Sequence, residues 1–364
     1  MAAAKISFNG RFLTASPTGV QRVAEQLIVA FDQLLQSDQK LASAIEASLL
    51  VPRNADRLLP KISFDQKQSR FLSGRLWEQL ELPFSSNKSL LVSLCNQAPI
   101  WSKSGITMIH DAQVFLTPSS YSSPFRVWYQ RSLPMIGANS KKILTVSNYS
   151  KGQLSDWGIA PPEKVAVIYN GVEHILAEEA DDSIVSRLGL TPKQFAVGLS
   201  NVQAHKNLKT VIDAYSRPAL QSSTLVLFGG ASREDFEQAG VDVPQNVVFA
   251  GFVTQAELRS LLSNAHAMVF PSLTEGFGLP PLEAMVLGTP AICAPCGALP
   301  EVCGDAAAYA DPSEPDAWEA ELLRLNARSD EERSNQSARC IAHAQGFTWD
   351  IAARRLCDEI LQCL

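Results

Sequence analysis

Residues 274–290 read TEGFGLPPLEAMVLGTP, and the fold turns on how this stretch is divided. The run before it, HAMVFPS, is short and apolar and ends in polar residues, as a buried strand does. TEGFGL then supplies two glycines and a carboxylate. PPLEAMVLG opens with prolines, which the first helical turn tolerates, and continues as an apolar helix. Strand, glycine loop, helix is the unit of a doubly wound α/β sheet. The amides of Gly276, Phe277, Gly278 and Leu279 are expected at a helix N-terminus, where backbone N–H groups and the helix dipole favour anions or sugar hydroxyls. Glycine also lets a ligand approach the backbone closely. Glu275 precedes the loop and Glu283 lies one turn inside the helix. Such a pair of carboxylates can accept hydrogen bonds from the vicinal hydroxyls of a ribose or hexose.

The same pattern recurs on both sides of this stretch. KISFNG, SLLVP, SLLVSLC, GITMIHD, KKILTVS and KVAVIYNG read as strands of a first parallel sheet, and VQRVAEQLIVAFDQLL reads as its opening amphipathic helix. After YNGVEH the pattern restarts. FAVGLSN, STLVLFGG, NVVFAGFV, HAMVFPS, TPAICAP and AAAYADP are strand-like. NLKTVIDAYSR and TQAELRSLLSNA are helical, the second with Thr254 as its N-cap. The expected fold is therefore α/β, with two Rossmann-like doubly wound domains facing a central cleft. The chain of 364 residues suits two domains of about 150–200 residues. Residues 1–172 form the first, expected to bind the acceptor, and residues 173–345 form the second. Residues 346–364, FTWDIAARRLCDEILQCL within their span, form a last helix packing back on the first domain. EHILAEEADDS, following the boundary, reads as a solvated linker.

Charge divides with the domains. Residues 1–170 carry 18 Lys and Arg against 11 Asp and Glu, a net +7, and residues 171–364 carry 13 against 26, a net −13. A basic first half favours anionic lipid or phosphate-bearing surroundings. No run of about 18 uncharged apolar residues occurs, so no membrane span is expected, and the N-terminal residues lack the apolar core of a signal peptide. The seven cysteines are odd in number, which argues against a disulfide framework. Cys293 and Cys296 form a C-x-x-C with no second pair to complete a zinc site, and they read as two buried or half-buried thiols. No metal, other cofactor or nucleic acid is expected.

Taken in order, the motifs resemble those of retaining glycosyltransferases of the GT-B fold, family four, in the polysaccharide and lipopolysaccharide mannosyltransferase branch. The resemblance runs over nearly the whole chain: FNGRFLTASPTGVQRVAEQL, IHDAQVF, LTVSNYSKGQL, KVAVIYNGV, HKNLKTVIDAY, then FPSLTEGFGLPPLEAMVLGTPAICAPCGALPEVCGDAAAYADP. It implies that Glu275 touches the donor sugar near the anomeric centre and Glu283 holds the donor ribose. Gly276 to Leu279 would meet the sugar and diphosphate, Lys206 would neutralise the diphosphate, and Phe252 and Val253 would border the base. His110 would face the donor sugar, with Asp111 orienting it. Gly19 would let the first helix approach the distal phosphate or the acceptor. Where many members carry a second cation, this chain has Asn201, so His205 or a backbone amide is a candidate substitute, or one lysine plus the helix dipole holds the leaving group. Ser147 reads as a helix N-cap.

The implied function is retaining transfer of a hexose, mannose from GDP-mannose being the expected donor. The acceptor would be a lipid-linked, lipopolysaccharide or exopolysaccharide sugar. A cytoplasmic protein held peripherally on the inner face of the cytoplasmic membrane, through its basic first domain, would fit. A nucleotide-sugar epimerase on the same fold, or a catalytically silent nucleotide-sugar-binding subunit, are the alternatives.

Overall fold

The first strand of the protein, Ala4–Asn9 (β1), carries Ile6 and Phe8 into the interior, and the rest of the first half is built outward from it. The structure is a computed structural model and describes residues 3–15, 18–103 and 105–364. It divides into two units, one of the residues up to Gly171 together with Thr348–Leu364, the other Val172–Phe347.

In the first unit β1 is joined by Ile45–Val51 (β2), Asp65–Gln68 (β3), Leu90–Ser93 (β4), Ile106–Met108 (β5), Lys142–Thr145 (β6) and Val165–Val167 (β7). All pair in parallel, in the order β3-β2-β1-β4-β5-β6-β7. The strand order reverses between β1 and β4. Gly19–Ser37 (α1) follows β1. Its apolar residues Val23, Leu27, Ile28, Phe31, Leu34 and Leu35 recur at helical spacing and are all buried, and Phe31 meets Phe8 edge to face at 5.3 Å. The edge strand β3, sequence DQKQ, is exposed or half-buried along its length and was not foreseen. It is held by backbone pairing to residues 48–51, which needs no apolar side chains. Ser123–Asn139 (α2) is a second long helix of this unit, and Asn148–Asp156 (α3) is capped by Ser147, whose hydroxyl accepts from Ser150 N. The last helix, Trp349–Cys363, belongs to this unit. It packs along α1 and buries Trp349, Ala352, Ala353, Leu356, Cys357 and Ile360.

The second unit repeats the architecture with six strands: Phe195–Leu199 (β8), Thr224–Phe228 (β9), Val247–Gly251 (β10), Ala267–Phe270 (β11), Ala291–Cys293 (β12) and Ala308–Tyr309 (β13). They too are parallel, in the order β10-β9-β8-β11-β12-β13, and the order reverses between β8 and β11. Leu208–Tyr215 (α4) and Gln255–Asn264 (α5) flank the sheet. Thr254 caps α5 in a reciprocal box with Glu257. Leu279–Val286 (α6) follows β11.

One expectation is corrected at the unit boundary. The stretch after Gly171 does not begin as a solvated linker. Val172, His174 and Ile175 are buried and only residues 176–183 are exposed. Val172 N donates to the Phe347 carbonyl, so the chain enters the second unit where it later leaves it. All seven cysteines are free thiols; Cys293 is buried and Cys296 half-buried.

Candidate active site

In a doubly wound sheet the crevice lies at the carboxyl ends of the strands, where their order reverses. In the second unit that point is flanked by the loops after β8 and after β11, and the two loops are tied together by Leu273 N donating to the His205 carbonyl at 2.8 Å. The loop after β8 is built by polar residues turning the chain. Asn201 Oδ1 accepts from Gln203 N at 2.8 Å, a short helical turn spans Ala204–Lys206, and Asn207 takes a left-handed conformation at φ 52°. The Asn207 amide donates to the Pro312 carbonyl. Lys206 is thereby aimed across at the second loop, where its Nζ lies 2.7 Å from Glu275 Oε1, both side chains mostly buried.

Glu275 is fixed from behind. Its carbonyl accepts from Ala298 N at 3.0 Å, and Gly297, at φ +62°, lies flat against it. A Cβ on Gly297 would stand 2.5 Å from Glu275 N and 2.8 Å from Glu275 O. The loop after β12 is thus a template for the loop after β11. Gly276 to Gly278 are buried, and Gly278, at φ +103°, precedes α6. Pro280 and Pro281 have no N–H, so the amides offered at this helix start are those of Leu279 and the residues before it. Glu283 is almost fully buried and its Oε1 lies 2.9 Å from His174 Nε2. Sequence reasoning passed over both His174 and Gly297. The first sits in an acid-rich stretch that looks solvated, and the second beside a C-x-x-C.

Phe252 and Val253 follow β10. Phe252 is 87% exposed, and it stands over Gly230, where a Cβ would meet its ring at 2.9 Å. His205 is no second cation. Burial lowers its pKa, the charge of Lys206 adding to the effect against Glu275, so the ring stays neutral at physiological pH. Asn201 has its carboxamide oxygen spent on the turn. Lys206 is left as the cation of these two loops.

His110 and Gly19 belong to the first unit. His110 follows β5, is buried, and its Nε2 lies 2.9 Å from the Leu94 carbonyl. That carbonyl orients the ring; Asp111 Oδ1 accepts from Gln113 N. Gly19 opens α1 with nothing within 4 Å of a Cβ placed there, so packing does not demand glycine at that position. Burial depresses the His110 pKa from 6.5 to about 4, against the smaller opposing effect of the Leu94 carbonyl. The unfolded chain therefore takes up a proton that the folded chain refuses. Its contribution to stability is complete above about pH 6.5 and is lost as pH falls towards 4. The difference corresponds to about 3 kcal/mol for this group. Urea titrations between pH 7 and 4 are expected to show a shallower decline in His110→Gln than in the parent; parallel declines contradict the assignment.

Two doubly wound parallel sheets, the second carrying a lysine–glutamate pair and a glycine loop opening a helix at its reversal point, define a glycosyltransferase of the GT-B architecture. The chain belongs to the family described as glycosyl transferases group 1, which matches residues 192–328. It is 30% identical over 331 residues to the O-antigen chain mannosyltransferase RfbU of Salmonella typhimurium, covering 86% of this chain and 88% of that protein. It is likewise 30% identical over 262 residues to O-antigen chain mannosyltransferase B of Escherichia coli, covering 67% of each. The crystal structure of Anabaena HepE with UDP and glucose shares the fold at a TM-score of 0.71 and 17% identity, covering 99% of this chain and 100% of that one. WaaG, a glycosyltransferase involved in lipopolysaccharide biosynthesis, does so at 0.68 and 15%, covering 98% and 99%.

Proposed function

We propose that the protein transfers a hexose, mannose from GDP-mannose, with retention at the anomeric carbon, to a sugar of a lipid-linked, lipopolysaccharide or exopolysaccharide acceptor. The observation that carries the reading is the Lys206–Glu275 pair at the reversal point of the second sheet. The names of the two mannosyltransferase relatives favour mannose and a polysaccharide acceptor, and favour a transferase over an epimerase or a silent binding subunit.

In this mechanism the bond between C1 of the sugar and the leaving phosphate oxygen breaks, leaving an oxocarbenium-like carbon and a nucleoside diphosphate. Lys206 leaves Glu275 to meet the diphosphate, assisted by the amides entering α6; stabilising charge as it develops is the largest lever such a site has. Glu275 is released to accept from a hydroxyl of the sugar, and Glu283, steadied by His174, accepts from the ribose hydroxyls. Phe252 and Val253 border the base. The neutral His110 ring, with Nε2–H donating to Leu94, keeps a lone pair on Nδ1 for a sugar hydroxyl. The acceptor oxygen bonds to C1 on the face the phosphate leaves, and its proton passes to a phosphate oxygen. No protein nucleophile takes part, and Lys206 with the amides supplies the charge without a metal ion. Gly19 leaves room for the distal phosphate or the acceptor at the start of α1. The net +7 of the first 170 residues favours peripheral contact with the inner face of the cytoplasmic membrane. No helix among the described residues is long and apolar enough to cross it.

Thermal-shift titration with GDP, UDP and ADP tests the donor. GDP is expected to raise the melting temperature most, a ligand at 100 times its Kd contributing about 2.7 kcal/mol. A larger shift with UDP overturns the guanosine assignment, and nucleotide turnover giving an epimerised sugar without transfer overturns the reaction class.

A further inference from the structure

The first sheet has a reversal point of its own, between β1 and β4, and an open cavity lies there. Asn9 ends β1, and Leu94, Cys95 and Gln97 follow β4; all four line it, with Arg11, Gln21, Glu78 and Tyr129. Glu78 reaches it from Trp77–Glu81, a single π-helical turn in which Leu82 N donates back to the Trp77 carbonyl. Such turns are rare and recur at functional sites. Here the wider turn carries Trp77 into the core and Glu78 beside β1, and both are buried.

The Glu78 carboxylate is 1% exposed and divided between two donors. Oε2 accepts from Arg11 Nη1 at 2.5 Å and Oε1 from Asn9 Nδ2 at 3.0 Å. Asn9 also donates to Ser93 Oγ and accepts from Arg11 N. Arg11 remains 25% exposed at the cavity. A buried ion pair of this kind adds little to stability over an apolar pair of equal volume, and it sits where a ligand crevice is expected. The Tyr129 hydroxyl, also on the cavity wall, finds no partner among the described residues.

The charges decide what fits. Among the described residues, Arg11 and Glu78 are the sole charged side chains lining the cavity, and they cancel. What remains is a carboxylate, a guanidinium, carboxamides and a phenol, a mixture of donors and acceptors with no surplus cation. That composition matches vicinal hydroxyls, each of which both donates and accepts. A carboxylate or phosphate would be desolvated beside Glu78 without an uncompensated positive charge to receive it.

We propose that this cavity holds an uncharged sugar residue of the acceptor, its hydroxyls bridging Arg11 and Glu78, and that the pair selects against anionic sugars there. The assignment rests on the transferase reading for the word acceptor, but its binding test does not need turnover.

Saturation-transfer NMR on the full chain, with methyl α-mannoside and methyl β-glucuronide as probes, measures it directly. The neutral glycoside is expected to bind and the glucuronide not. Glu78→Gln, which leaves Arg11 unbalanced, is expected to weaken the mannoside by about tenfold and to admit the glucuronide. Tyr129→Phe, which leaves the ion pair in place, is expected to weaken the mannoside severalfold. The nucleotide-induced thermal shift of each variant, a property of the second unit, reports whether it has folded and should match the parent. The proposal is overturned if the glucuronide binds the parent as well as the mannoside does. It is also overturned if neither probe binds, or if both folded variants keep the parental mannoside affinity. Loss of every nucleotide shift with glycoside binding intact would sink the donor reading and leave the cavity assignment standing.

Discussion

Replacing Lys206 with Ala is expected to lower transfer by about 10²–10³-fold, the usual cost of removing a group that meets charge as it develops. The structure makes the expectation specific. Lys206 has one carboxylate partner, Glu275 at 2.7 Å, the neutral His205 beside it adds no positive charge, and Asn201 is committed to its own turn. Nothing in these two loops takes over when the ammonium is gone. The fold should persist, because the pair is at the sheet's carboxyl rim and the core beneath is apolar. Glu275→Gln should lose most of the activity as well, through its contact to the sugar. The double variant separates the roles. If the two residues act only through one another, losing both costs little more than losing either; if each meets a different part of the donor, the losses multiply. Single-turnover rates with saturating donor decide it, and an unchanged rate in Lys206→Ala removes the basis of the mechanism.

A second large effect is expected from a residue that touches no substrate. Gly297→Ala places a methyl group 2.5 Å from the amide nitrogen of Glu275, at a backbone conformation that costs a non-glycine residue about 1–2 kcal/mol by itself. The neighbour is backbone, so no side chain can rotate away. Either the loop after β12 unwinds, breaking Ala298 N to the Glu275 carbonyl, or Glu275 moves. A displacement of about 1 Å at a positioning group costs about 10²-fold in rate. The variant should therefore lose both melting temperature and transfer. Nucleotide affinity should fall less, since the base is expected to lie nearer Phe252 than Glu275. Full activity in Gly297→Ala, measured with a melting curve on the same sample, would show that the loop after β12 does not template the site.

Both effects sit on loops, and the loops are where the sequence was least readable. The strands beneath them were plain: FAVGL, AMVF and AIC are continuous apolar runs because a parallel sheet covered on two faces buries both sides of each strand. The edge strand DQKQ escaped notice because its stability comes from main-chain pairing. Ser123–Asn139 has a proline inside it and mixed polarity, so no apolar stripe marks it. At the site, the residue types were legible and the partnerships were not. The family resemblance proposes Lys206 for a diphosphate and Glu275 for a sugar, but that they close on one another across 69 residues is a fact of the third dimension. His174 and Glu283 lie 109 residues apart, and the acidic run around the histidine pointed towards solvent. Glu78 was invisible because its burial beside β1 depends on one widened helical turn.

The last helix has a consequence for how the protein comes into being. The last helix buries Trp349, Leu356 and Ile360 and packs along α1, which is made more than 300 residues earlier. Domains generally fold in order as they emerge from the ribosome. Here the unit begun first is completed only by a helix that follows the second unit in the chain. The Val172–Phe347 unit is whole before then, so it is the half carrying Lys206 and Glu275 that matures first, while the earlier sheet waits for its closing helix.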